Sequence, residues 1–320
     1  TFDSDRKAFL TELQSDLSLY AHCIRQLEGL VPGSETHKHP IALIETLPPE
    51  RLRLLLPEPH DSFSHHGFDL TDEHQARRIR HALVMCSTAE LLADKLNVDP
   101  NEVFLAALGR QLGFLLTAYN YPRTFTKALG AVGTMNNNLE AALFRFLGFS
   151  PTTLGVKAYL GWNSNSAVLL ATHGLCVDGS IRSENLPIDE QQTIQQISSC
   201  CEIGEAFARL SDPQTFTISS KERESAISQL THYLGPNALA LANERVQERA
   251  GGYTKLSPGI FSIDLAQRAS IRHGLSPYAR QLLHANNGVQ RFTPELQKLF
   301  ERVYETIDEG QISLEGTGVL

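Results

Sequence analysis

The chain has 320 residues, 42% hydrophobic and 20% charged, with a formal net charge of −8. That composition is globular rather than disordered, and the length allows a large core. Acidic and basic residues are mixed along the chain, with no basic stripe for a phosphate backbone and none for an anionic membrane surface, so neither nucleic acid nor membrane is an expected partner.

The predicted elements are almost all helical. Helices are expected over residues 5–30 and 41–56, followed by a loop at 57–69 with two prolines and three histidines. A long helix over 72–96 opens on Asp72-Glu73-His74-Gln75, a capping-box pattern. Its residues Ala82, Met85, Ala89, Leu92, Ala93 and Leu96 recur at spacings of three and four, one helical face. The next helix starts at Asp99-Pro100-Asn101-Glu102, where Asp99 caps and Pro100 suits the first turn. Val103, Phe104, Ala107, Leu108, Leu112 and Leu115 follow with few polar interruptions, which predicts burial on most sides. The short connection at 97–100 predicts an antiparallel pair.

Further helices are expected at 138–148, 151–160, 164–173, 188–210, 220–234, 236–249, 277–285 and 294–308. Gly148, Gly174 and Gly235 read as C-terminal stops. Pro151, Pro277 and Pro294 each follow Ser or Thr, a cap and then a first-turn proline. Thr215-Phe216-Thr217-Ile218 is a short strand candidate. Residues 251–262, rich in Gly, Ser and Pro, read as a loop. A composition shift near 210–213 divides the chain into 1–210 and a C-terminal helical region, 211–320, and the tail from Ser313 reads as a frayed end or linker.

The five cysteines, Cys23, Cys86, Cys176, Cys200 and Cys201, form no CxxC pair, and adjacent Cys200 and Cys201 cannot bridge without strain. Free thiols in a reducing cytoplasm are the expectation, with no thiolate zinc site and no cofactor. No run approaches the roughly 20 apolar residues of a membrane span. The longest apolar stretch, Val103 to Tyr119, is broken by Arg110 and Gln111, and Thr1-Phe2-Asp3-Ser4-Asp5-Arg6-Lys7 has no signal-peptide character. Walker, Rossmann and GxSxG motifs are absent.

Several weak motifs in a consistent order resemble the HDOD domain, the catalytically degenerate relative of the HD and HD-GYP phosphohydrolases. They are Asp16-Leu17-Ser18-Leu19 with its apolar run, Ile41 to Leu55, His81 to Leu96, Val103 to Leu116, and Gly148 to Ala171 with Gly155 and Trp162. The match spans roughly residues 5 to 200. It implies an all-α, HD-like helical bundle and a bacterial signalling or regulatory module that works through a protein partner or a fused or associated signalling domain. Residue by residue, His81 matches the first metal-binding His of the catalytic pattern. Arg110 and Gln111 stand where adjacent His and Asp are usual, Pro151 falls where a later His is expected, and His173 lies at or beside another His position.

That substitution has a chemical consequence. A hard divalent cation needs oxygen or imidazole donors with carboxylates to offset its charge. Arg is always protonated and donates only. Without the ion there is no activated hydroxide and no clamp on a phosphoryl oxygen, so the resemblance implies loss of hydrolysis.

As residues alone, Arg110 and Gln111 read either as polar positions on an amphipathic helix or as inward groups needing partners. His81 and His173 read as ordinary histidines, and His60, Asp61, His65, His66, Asp69 and His74 as a solvated loop and helix start. Trp162 reads as a core anchor. Two alternatives stay open. One is a hydrolase with a rearranged metal site built from His65, His66, Asp69, His81 and His173. The other is a sensor that holds a small nucleotide in the old pocket, with Arg110 on a phosphate.

Overall fold

The computed structural model describes residues 9–10, 13–30, 40–55, 70, 72–132, 138–160, 168, 171–172, 186–212, 215–216, 218 and 219–261. Every regular element among them is a helix, as the periodicity predicts. Two long helices form the centre. Helix α4 (Glu73–Leu96) and α5 (Pro100–Asn120) follow α1 (Leu17–Leu30), α2 (Pro40–Thr46) and α3 (Pro49–Leu55). After them come α6 (Pro122–Ala131), α7 (Leu139–Leu147), α8 (Pro151–Leu160) and α9 (Ile188–Leu210), then α10 (Ser220–Leu234), α11 (Ala238–Arg249), α12 (Gly251–Leu256) and α13 (Pro258–Phe261). None of the described helices is long and apolar enough to cross a membrane.

Local chemistry sets most boundaries. Asp72 accepts from the amides of His74 and Gln75, and Asp99 from those of Asn101 and Glu102. These bonds satisfy amides that have no partner inside the helix. Asn138 caps α7, and Ser150 accepts from the Thr153 amide at the start of α8. Gly148 and Gly235 close α7 and α10 as expected.

Four expectations are corrected. The first helix does not run unbroken from residue 5, because Asp16 interrupts it and caps α1 through the amides of Ser18 and Leu19. The 41–56 helix is two, parted at Leu47-Pro48, where the residue before proline is pushed out of the helical region. Thr215, Phe216 and Ile218 form no strand, for no described strand lies beside them; Phe216 instead buries its ring between helices. The 251–262 loop is instead α12 and α13. Tyr253 is buried there, stacks on Phe261 with ring centroids 5.1 Å apart, and accepts the Leu17 amide at 3.0 Å. That tertiary anchor outweighs the poor helix propensity of Gly251-Gly252. Helix α6 was not expected at all. Expected helices at 277–285 and 294–308, most of that at 164–173, and Gly174, Trp162 and Cys176 lie outside the described residues.

Packing is organised around α4, which lies against α5, α9 and α11. Its buried residues run almost unbroken from Gln75 to Ala89. One continuous core takes in residues from Leu13 to Phe261, so α10–α13 pack on the bundle. Arg249 of α11 reaches across to Glu90 of α4, Nη2 to Oε1 2.6 Å, with both side chains almost wholly buried. On the far side α8 crosses α5 at Gly113, where a Cβ would sit 1.8 Å from the Pro151 carbonyl oxygen. Only glycine permits that backbone approach. A second, smaller core joins the end of α5 to α6 and α7 through Ala118, Phe125, Leu139 and Leu143, and includes Phe216.

Candidate functional site

The candidate site lies where the first turns of α4 meet the last turns of α9, roofed by the α6–α7 core. Helix α4 presents Arg77, Arg78, Arg80 and His81 within five residues. Helix α9 answers with Glu205, Arg209 and, past its end, Ser211 and Asp212. The two helices approach closely because α9 carries Gly204 at the contact, where a Cβ would be 2.7 Å from the Met85 carbonyl oxygen.

Glu205 is the hub. Its Oε1 and Oε2 lie 3.2 and 3.4 Å from His81 Nε2, and Gln111 donates its amide to Oε2 at 2.8 Å. His81 and Gln111 are buried, whereas the Glu205 side chain as a whole is 35% exposed. Burial alone would raise the Glu205 pKa. The charge and hydrogen bond of His81, with the guanidinium groups of Arg78 and Arg209, more than reverse that and bring it down to about 2. Gln111 also points its amide at the Met85 sulfur.

Arg78 is buried, and neither Nε nor Nη2 has a hydrogen-bond partner among the described residues. Its guanidinium sits 5.0 Å from the centroid of the Phe114 ring. Burial lowers its pKa to about 10, opposed by the charges of Glu205 and Asp212, so it stays a cation at neutral pH. Arg80 donates to the Ser211 carbonyl, and Arg77 faces Asp212 at 3.6 Å. For Asp212, burial raises the pKa, but Arg80, a hydrogen bond from Thr215, Arg77 and His81 together lower it. Cations thus gather at the C-terminal end of α9, where the helix dipole also favours them.

A cavity of about 10 Å³ remains among His74, Arg77, Arg78, His81, Phe125 and Asp212, room for about one water. The donor set does not fit the hydrolytic cation that the resemblance brings to mind. Among the described residues no group of three or more His, Cys, Asp or Glu side chains converges to hold a metal. Near His81 stand two carboxylates, Glu205 and Asp212, each already set against arginines, with one amide and a buried guanidinium, a poor cage for a divalent ion.

The remaining anticipated positions go elsewhere. Arg110 is half-buried and donates Nε and Nη2 to the Ala171 carbonyl at 3.2 and 2.6 Å, which Ser198 Oγ also reaches at 3.4 Å. It stands near Cys201, whose thiol burial pushes up to about 11 while Arg110 pulls the other way. Pro151 is buried at the start of α8, against Gly113. His173, His60, His65, His66, Asp61 and Asp69 lie outside the described residues. Cys23, Cys86, Cys200 and Cys201 are free and buried.

Sequence reasoning missed Glu205, Asp212, Arg78 and Arg209. A signal was present. Three guanidinium groups within residues 77–80 of an inward-facing helix require acids, and Glu205 falls on the buried stripe of α9, four residues after Cys201 and three before Ala208.

No protein-family model matches the chain, and no curated protein matches it. Among solved structures it is similar to the "putative phosphohydrolase" of Shewanella amazonensis, at 16% identity over 81% of this chain and 85% of that one, with a TM-score of 0.36. A superposition that loose assigns neither a family nor an activity.

Proposed function

We propose that the chain is a non-catalytic bacterial regulatory module of the HDOD type, acting through contacts with a protein partner or an attached signalling domain. One observation carries the reading: the cavity beside His81 is lined by the buried Arg78 and has room for only about one water. A fixed cation there repels a metal ion, and no volume is left for a phosphoryl substrate. Glu205 is already bonded to His81 and Gln111 and feels the charge of Arg78, commitments that weigh against a role as general base or metal ligand. What the chain offers is surface. Phe144 and Phe146 of α7 and Tyr121 are 55%, 45% and 45% exposed, individual apolar side chains that a partner would cover.

The test is direct. The purified full chain is incubated with Mn²⁺, Fe²⁺, Mg²⁺ or Zn²⁺, desalted, analysed for metal, and assayed against bis(p-nitrophenyl) phosphate, cyclic dinucleotides and mononucleotides. The expected result is substoichiometric metal and no turnover above buffer. Stoichiometric metal together with hydrolysis lost in His81→Ala would overturn the reading in favour of a rearranged hydrolase.

A further inference from the structure

A groove lies on the other side of Arg209, between α9 and α10. It encloses about 320 Å³, far more than an inorganic anion needs and within the range of small-molecule sites. Its floor is apolar: Leu210 and Ala226 are buried, and Ala206 and Ile218 half-buried. Its rim is polar and exposed, with Lys221, Ser225 and Gln229 on α10.

The charges in the groove are unequal. Arg209 holds its guanidinium 5.3 Å from the centroid of the Phe216 ring, and its buried Nε has no hydrogen-bond partner among the described residues. No carboxylate among those residues lies within ion-pair distance of Arg209 or Lys221. The one acid on the groove, Glu222, is committed to the α10 cap, where it accepts from the Ser219 amide and hydroxyl, each at 2.9 Å. Two cations, Arg209 and Lys221, therefore line an apolar trough that holds one acid whose oxygens are tied to the cap, and Arg209 also feels the charge of Glu205.

We propose that this groove binds a small organic anion, with a phosphate or carboxylate head on Arg209 and Lys221 and an apolar body along Leu210, Ile218 and Ala226. Arg supplies a fork of donors and Lys a mobile point charge, a pairing suited to either head group. Ser225 and Gln229 add neutral hydrogen bonds at the rim. The site does not rest on the regulatory reading, since it uses neither His81 nor any metal. It does give that reading an input. Arg209 also lends its charge to Glu205, so an anion in the groove draws on the guanidinium that steadies the buried network.

The experiment uses the full chain, with phenyl phosphate and benzoate as probes, followed by saturation-transfer NMR and titration calorimetry in physiological salt. At least one probe binds saturably; the tighter of the two identifies the head group, and either supports the site. Lys221→Glu and Ser225→Trp, both on the exposed rim, weaken binding by about tenfold or more without moving the unfolding midpoint. Arg209→Lys retains part of the affinity. Absence of saturable binding by either probe overturns the proposal. So does binding that survives both rim variants, and so does inorganic phosphate binding as tightly as phenyl phosphate, which would leave the apolar floor without a role.

Discussion

Replacing Glu205 by Gln tests whether the carboxylate holds the α4–α9 junction together. The amide keeps the size of the side chain and can still accept from Gln111 and His81, so the change removes charge and little else. The Glu205 pKa falls from an ordinary 4.5 to about 2 in the folded protein. At 1.36 kcal/mol per pKa unit that gap corresponds to roughly 3 kcal/mol of stability. The side chain is 35% exposed, and solvent screening reduces the effect to roughly 2 kcal/mol. Because the folded pKa is depressed, the contribution is complete above about 4.5 and is lost as pH falls toward about 2. Urea denaturation followed by circular dichroism should therefore find Glu205→Gln about 2 kcal/mol less stable at pH 7, with the difference reduced to roughly half by pH 3. A variant as stable as the parent at pH 7, or a difference that ignores pH, would refute the electrostatic account of the site.

Four single substitutions probe the packing and one helix cap. Gly113→Ala, whose Cβ would meet the Pro151 carbonyl oxygen at 1.8 Å, should lower stability by about 2 kcal/mol or more in urea titration despite alanine's better helix propensity. Gly130→Ala in α6, with nothing within 4 Å of the new Cβ, should instead raise it by about 0.5 kcal/mol; equal effects from the two would show that the α5–α8 crossing is looser than described. Arg249→Ala leaves Glu90 buried and alone and should cost about 3 kcal/mol, whereas Glu90→Gln with Arg249→Met should cost much less; a double variant no better than the single would remove the ion pair from the account. Ser219→Ala deletes one half of the α10 capping box and should cost about 1 kcal/mol by equilibrium unfolding, and no loss would mean that the α10 end frays without it.

The helical framework was legible because its signals are local. Asp72, Asp99, Asn138 and Ser150 sit at their helix starts for reasons contained in three or four neighbouring residues, and each caps as its chemistry dictates. Where the decisive contact is distant, local reading failed. Residues 251–261 look like a loop until Tyr253 is seen docked against the Leu17 amide, 236 residues away. The alternation around Phe216 is a real alternation of burial, but helices rather than strands receive the ring.

The site divides along the same line. Apolar flanks on α5 indicated that one of Arg110 and Gln111 points inward, and adjacent residues on a helix point about 100° apart. That rotation sends Gln111 to Glu205 and Arg110 to the Ala171 carbonyl, two destinations no spacing on α5 reveals. The charge balance of α4 carries the signal that those spacings lack. Arg77, Arg78 and Arg80 on a helix buried over most of its length are tolerable only if acids stand opposite, and burying a guanidinium unpaired costs far more than any cap or turn contributes. Glu205 and Asp212 are those acids, and the surrounding cations hold both carboxyl groups below their ordinary pKa. The network that stabilises this end of the bundle is thus the one that ties up the carboxylate beside His81.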